Sequence, residues 1–273
     1  DLVWLTGAGW DAAQRAATKA QQPALARWRQ AGWPATVRRR DADAGPDQVC
    51  LGLTLPIDDS GAARMRLGLR CMHAEVARRR RPLSLREAAP ALPPAWRAAG
   101  AGLERQSAAA GLDLRVYGSL ALQALTGARY LTASSDIDLA FFPHDAAQLS
   151  DGLALLDHYS RHLPLDGEII FPSGQAVAWK EWRNAVPAAR SLRGRRVGGC
   201  NARENGPVRY YHLRPGDHPG LVGITKLSSF FARFASPPSA AQAPRVLVKR
   251  IDCVLLADPA ALLDEFKERA CRA

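Results

Sequence analysis

Lysine, aromatic residues and long apolar runs are all scarce in this 273-residue chain, and each scarcity excludes something. Only Lys19, Lys180, Lys226, Lys249 and Lys267 are lysines, so 32 of the 37 basic residues are arginine. The arginine and alanine excess carries the imprint of GC-rich coding, but coding bias does not account for a net charge of +11, which favours a polyanionic partner. Aromatic side chains make up 7% of the residues, and no nucleic-acid motif accompanies the charge. Stacking platforms for nucleic acid are therefore not expected. No apolar run approaches the ~20 residues that cross a bilayer, so no membrane role is expected. Cys50, Cys71, Cys200, Cys253 and Cys271 show no C-x-x-C spacing, which argues against a disulfide framework or a cysteine zinc site. A reducing cytoplasm is the expected setting. Asp1-Leu2-Val3-Trp4-Leu5 has none of the features of a signal peptide. Ser119 lies outside any G-x-S-x-G pattern, which excludes a nucleophile elbow, and His144, His158 and His162 are not spaced as a metal set.

The pattern that is present divides the chain in two, at about residue 85. Residues 1–85 alternate short apolar runs with Pro, Gly and Asp. Thr36–Arg38, Val49–Leu55 and Met65–Cys71 read as strands and Ala24–Gln30 as a helix, which together make a small α+β domain. Arg38-Arg39-Arg40 and Arg78 to Arg81 read as solvated loops or a docking surface for anions, and Arg78–Pro94 as a connection. Residues 86–273 carry the chemistry. A helix over Trp96–Ala110 stops at Gly111, a strand over Leu112–Tyr117 delivers Gly118-Ser119, and a helix follows to Thr126 with Gly127 as its C-cap. A strand Asp136–Phe142, a helix capped by Asp145, a strand Pro164–Phe171 and an opposite hairpin arm over Gln175–Trp182 complete a mixed sheet flanked by helices. Residues 184–244 are poorly patterned and read as an insertion before closing strands at Val246–Val248 and Val254–Leu256 and a helix at Pro259–Arg269.

Side chains two apart on a strand share a face, so Asp136 and Asp138 project together, about 7 Å apart. Carboxylates so placed suit a hard divalent cation such as Mg²⁺, or Mn²⁺, with substrate phosphates completing the shell. A Gly-Ser turn entering a helix offers backbone N–H groups and the Ser119 hydroxyl, as N-cap, to a phosphate. Gly118, Ser119, Asp136 and Asp138 thus outline a site for nucleotidyl or phosphoryl transfer. A third carboxylate often positions or deprotonates the nucleophile; Glu168, leading into Ile169-Ile170-Phe171, is favoured and Asp166 is the alternative. Lys180 and Arg183, bracketing the hairpin arm, are candidates to neutralise a polyphosphate.

The Gly-Ser…Asp-x-Asp arrangement resembles the nucleotidyltransferase superfamily. The strings Val116 to Gln123, Leu125-Thr126-Gly127, Tyr130-Leu131, Ser135 to Leu139, Asp166-Gly167-Glu168, Ala176 to Glu181 and Val246 to Lys249 resemble, more narrowly, the malonate decarboxylase holo-acyl-carrier-protein synthases. That resemblance implies an α+β, nucleotidyltransferase-like catalytic domain behind a smaller N-terminal one. It also implies an Mg²⁺-dependent transfer of phosphoribosyl-dephospho-CoA from triphosphoribosyl-dephospho-CoA to a serine of the malonate decarboxylase acyl carrier subunit, with release of pyrophosphate. Asp136 and Asp138 would then hold the metal, Gly118, Ser119 and Lys180 the donor, and Glu168 or Asp166 would assist the attacking hydroxyl. Two other classes fit part of the pattern: an adenylyltransferase with a different acceptor, and a basic nucleic-acid-binding module.

Overall fold

The computed structural model describes residues 1–57, 65–185, 245–250 and 254–272. Its N-terminal strands are β1 (Leu2–Leu5), β2 (Ala35–Val37), β3 (Gln48–Thr54), β4 (Arg66–Met72) and β5 (Val76–Arg80). They form one sheet in the order β4-β3-β2-β1-β5, every pair antiparallel. Period-two patterning is plainest in β4, where Leu67, Leu69 and Cys71 are buried and the intervening side chains exposed. Helices α1 (Gly7–Ala16) and α2 (Gln22–Gln30) close that core with Trp10, Ala13, Leu25 and Trp28. Met65, expected to start the alternation, instead precedes the strand and is exposed.

The arginine run at Arg78 to Arg81 departs from expectation. Arg78–Arg80 belong to β5, an edge strand on β1, with Arg78 opposite Trp4 and Arg80 opposite Leu2. An edge tolerates charge that an interior strand does not. Here the Arg78 guanidinium lies 3.7 Å from the Trp4 ring centroid, and Arg80 and Arg81 pair with Glu87 and Asp113.

The second sheet begins at once with β6 (Leu83–Ser84) and continues through β7 (Leu114–Tyr117), β8 (Ile137–Phe141), β9 (Leu165–Ile170), β10 (Ala176–Ala178), β11 (Val246–Lys249) and β12 (Val254–Ala257). The order is β12-β11-β10-β9-β8-β7-β6; β8 and β9 are parallel and the other pairs antiparallel. Between Ser84 and β7 lie α3 (Leu85–Ala88), which Ser84 and Glu87 open as a capping box, and α4 (Pro94–Ala109). Next come α5 (Gly118–Thr126), which ends on Gly127 in the left-handed region at φ 68°, and α6 (Ala146–Tyr159), which Asp145 caps by accepting from the Gln148 N–H. The crossover through α6 is what makes β8 and β9 parallel. With α8 (Pro259–Arg272), these helices cover one face of the sheet. Val116, Leu139, Phe141, Ile169, Val177 and Val248 point into that core, against Leu103, Leu120, Leu156 and Phe266.

The hairpin arm is shorter than expected. It ends at Ala178, and residues 179–185 turn into a helix, α7. Trp179 and Trp182 explain why: both are almost fully buried, and a three-residue separation puts both rings on one side only in a helix. The segment expected as an insertion lies outside the described residues from 186 to 244. The two sheets meet where Tyr130 Oη donates to the Thr54 carbonyl (2.9 Å) and the Ile57 N–H to the Arg129 carbonyl (3.0 Å). Leu2 and Trp4 also pack into the larger core.

Candidate active site

Burying Val116, Leu139 and Ile169 on one face leaves their neighbours along the strands on the other. Strand register then decides which of those polar side chains meet. Tyr117 of β7 is the cross-strand partner of Asp138 in β8, which in turn partners Asp166 in β9. One step along, Ala140 pairs with Glu168, and Glu168 with Ala178 of β10. Ala176, two residues earlier, pairs with Lys249 of β11. Tyr117, Asp138, Asp166, Glu168 and Lys249 therefore share the face opposite that core. Asp136 stands exposed immediately before β8, in phase with Asp138. A turn precedes it in which Ser135, itself buried, accepts from the Thr132 N–H (2.9 Å) and donates its own N–H to the Thr132 carbonyl (3.1 Å).

Gly118 is pressed against this acid row. Its φ is +66°, and a Cβ placed on it would lie 2.0 Å from Asp138 Oδ2 and 2.9 Å from Cγ. The expected phosphate turn and one expected metal ligand are thus in van der Waals contact. Ser119 is not the N-cap: that position is Tyr117, whose side chain makes no capping bond, and Ser119 is the second residue of α5, half-buried. Backbone N–H groups at a helix start remain suited to an anion, but the hydroxyl does not have the capping geometry anticipated for it.

Lys180 lies on α7 rather than on a strand, and its Nζ is 3.5 Å from Asp166 Oδ1. Arg183 turns away from the acids to pair with Asp157. Glu168 accepts from Lys249 Nζ at 2.5 Å, while Glu181 of α7 accepts from the Leu247 N–H at 2.5 Å and ties that helix to β11. Burial raises the Glu181 carboxyl above its ordinary range, a shift partly offset by the Leu247 N–H and by Lys249.

Two residues of this face were not singled out by motif. Tyr117 carries a phenol pushed well above its usual range, first by burial and then by the negative charges of Glu168, Asp138 and Asp166. It stays a protonated donor among three acids. Its only sequence signal is its place at the end of the strand, directly before Gly118. Lys249 ends an alternating run, Val246-Leu247-Val248-Lys249, in a chain with only five lysines; which acid it meets depends on pairing with β10, some seventy residues earlier.

Two family models match the chain. Residues 1–82 match the family model for the phosphoribosyl-dephospho-CoA transferase MdcG N-terminal domain, and residues 84–195 match that for the MdcG C-terminal domain. A phosphoribosyl-dephospho-CoA transferase of Xanthomonas campestris pv. campestris is 39% identical over 184 residues, covering 66% of this chain and 83% of that relative. The chain belongs to the MdcG phosphoribosyl-dephospho-CoA transferase family. A Bradyrhizobium diazoefficiens relative of the same name is 36% identical over 184 residues (66% of this chain, 80% of the relative). One from Pseudomonas aeruginosa is 34% identical over 167 residues (58% and 72%). No solved structure matches the chain. MdcG membership supports the family resemblance drawn from the Gly-Ser and Asp-x-Asp strings. The larger sheet also has the mixed, helix-flanked α+β form expected of it. Among the described residues, no helix is long and apolar enough to cross a membrane.

Proposed function

We propose that this MdcG-family protein transfers the phosphoribosyl-dephospho-CoA group from 2′-(5″-triphosphoribosyl)-3′-dephospho-CoA to a serine of the malonate decarboxylase acyl carrier subunit, in the cytoplasm, with release of pyrophosphate. The observation that carries this most directly is the contact between the Gly118 turn and the Asp138 carboxylate, set on a face shared by Tyr117, Asp166, Glu168 and Lys249. A nucleotidyltransferase-like site needs that juxtaposition: an anion-gripping turn against an acid that can hold a cation.

The donor atoms fit Mg²⁺. Asp136 and Asp138 offer hard carboxylate oxygens, and Mg²⁺ characteristically takes one or two carboxylates, waters and substrate phosphates rather than a cage made only of protein. Among the described residues no three His, Cys, Asp or Glu side chains form such a cage, so the donor's phosphates would supply part of the shell. Once bound, the ion offsets phosphate charge and the charge that develops on the leaving pyrophosphate. The chain's own groups do the rest. The first-turn N–H groups of α5 grip the outer phosphates, with Ser119 beside them, and the Tyr117 phenol stays protonated next to the acid row. Lys180 sits at the rim, where an incoming polyanion would draw it from Asp166. A carboxylate of β9, Glu168 or Asp166, accepts the proton of the attacking serine hydroxyl.

The test is to incubate the protein with Mg²⁺, the triphosphoribosyl donor and apo carrier, and to weigh the carrier by mass spectrometry. The carrier should gain the mass of the prosthetic group. Asp136→Asn and Asp138→Asn should each cut the rate by at least 100-fold while leaving the far-UV circular dichroism unchanged. Labelling from ATP in preference to the triphosphoribosyl donor would instead make the protein an adenylyltransferase, and full activity in both variants would remove the metal assignment.

A further inference from the structure

The two carboxylates of β9 are not equivalent. Glu168 is bonded to Lys249 at 2.5 Å and its side chain is 24% exposed, the lysine's 30%. Asp166 is 49% exposed and has Lys180 only at 3.5 Å, longer than a direct hydrogen bond. Asp166 is also the register partner of Asp138, whereas Glu168 sits one step deeper, opposite Ala140. Three conditions bear on a proton acceptor for a hydroxyl carried on a folded protein. It must be reachable from outside, it must lie beside the reacting phosphate, and it must have a free lone pair. Asp166 meets all three. Glu168 is less exposed, lies one step beyond the partner of Asp138, and holds one oxygen in a charge-assisted bond to Lys249, roughly twice as strong as a neutral one.

We infer that Lys249 is a positioning residue of the transfer reaction: it occupies Glu168 and leaves Asp166 as the carboxylate that takes the proton from the acceptor serine. In that step the serine O–H proton passes to Asp166 and the serine oxygen forms a bond to the α-phosphorus. The bond from that phosphorus to the bridging oxygen breaks, and pyrophosphate leaves with the electron pair. Lys249 holds Glu168 to the sheet, so that its charge neither repels the donor nor competes for the proton. β11 is thereby part of the site although it follows β10 by some seventy residues.

This inference rests on the transferase reading, and the experiment separates the two. Transfer rates and donor affinity by calorimetry are compared for Asp166→Asn, Glu168→Gln, Lys249→Met, Lys249→Arg and the Glu168→Gln/Lys249→Met double variant. Asp166→Asn should lower kcat by roughly 100-fold or more while the donor Kd stays within about threefold. Lys249→Met should lose about tenfold, Lys249→Arg should recover most of it, and the double variant should transfer faster than Lys249→Met, because no unpaired carboxylate remains. Glu168→Gln as damaging as Asp166→Asn, or a double variant no faster than Lys249→Met, would overturn the assignment. Urea unfolding of the same four-corner cycle reads the pair without any activity. Strictly additive midpoint shifts would show that Lys249 does not hold Glu168, and the inference would fall. If the unaltered protein transfers nothing, the transferase reading and the role of Asp166 fail together, and the unfolding cycle still decides on the pair.

Discussion

Replacing Gly118 with alanine isolates the contact on which the site depends. Two costs are separable. The first is backbone strain: a residue with a Cβ held at φ +66° loses about 1–2 kcal/mol relative to glycine. The second is the collision with Asp138. Ordinary contact begins at 3.4 Å and the new Cβ would start 2.0 Å from Oδ2, so the carboxylate must withdraw by about 1.4 Å or the turn must open by as much. A misplacement of about 1 Å at a reacting centre costs on the order of 100-fold in rate, or about 2.7 kcal/mol of barrier. Gly127→Ala is the matched control. Its φ is +68° and nothing lies within 4 Å of its added Cβ, so it carries the strain without touching the acids. Gly127→Ala is expected to lose about 1–2 kcal/mol in urea unfolding and Gly118→Ala at least as much, but only Gly118→Ala should lose about 100-fold or more in transfer rate. Gly118→Ala transferring within threefold of the parent rate, or Gly127→Ala falling as far as Gly118→Ala, would refute the reasoning.

Other positions give smaller, distinct effects. Gly152→Ala would set a Cβ 2.2 Å from Phe141 Cζ, and the resulting overpacking should lower stability by about 1–3 kcal/mol in urea unfolding. Tyr130→Phe removes the fully buried hydroxyl that reaches Thr54 across the two sheets; a loss of about 1–2 kcal/mol is expected, with slower transfer because Tyr130 lies in the segment that leads to Asp136. The Glu87 carboxyl is held at about 2 against an ordinary 4.5, first by the Ser84 backbone N–H and then by Arg80. A depressed folded value means that its contribution is full above pH 4.5 and disappears as pH falls toward 2. With a side chain 43% exposed, solvent limits that contribution to about 1 kcal/mol. Glu87→Gln should therefore destabilise the protein slightly at pH 7 and flatten its acid unfolding curve in that window; an unchanged curve would count against the pair.

Local chemistry was legible in the sequence wherever a local rule settled it. Gly127 and Gly111 as helix stops, Asp145 as a cap and the alternation of Leu67, Leu69 and Cys71 all follow from neighbouring residues, and the structure agrees. The misses are of another kind. Arg78–Arg80 look like a loop because an edge strand needs no apolar alternation, and the β1 partner lies over seventy residues upstream. Trp179 to Trp182 reads equally as strand or helix until the burial of both rings favours the helix. The same limit applies to the site. Asp136-x-Asp138 is visible on its own, but the alignment of Asp138 with Asp166 depends on a parallel register set by the α6 crossover, and the Lys249 contact depends on a strand pairing across a long gap. Period-two patterning says which face a side chain takes; it does not say which residue stands opposite.

That distinction explains how this sheet tolerates its acids. Residues 84–185 hold eleven acidic against eight basic side chains, whereas residues 1–82 hold fourteen basic against eight acidic, so the positive surplus lies outside the segment that carries the candidate site. Asp138, Asp166 and Glu168 on adjacent strands would repel one another and any triphosphate that approached. Lys249 and Lys180 offset that repulsion from two separate elements, β11 and α7. Asp136 and Asp138 stand beside the glycine turn at the end of this acid row. On the proposed reading, a cation and a polyphosphate would each bind there better with the other present, since acids alone repel phosphates and the ion offsets that repulsion. Donor affinity and Mg²⁺ affinity should accordingly rise together, by the same factor, because coupling between two ligands on one site is reciprocal.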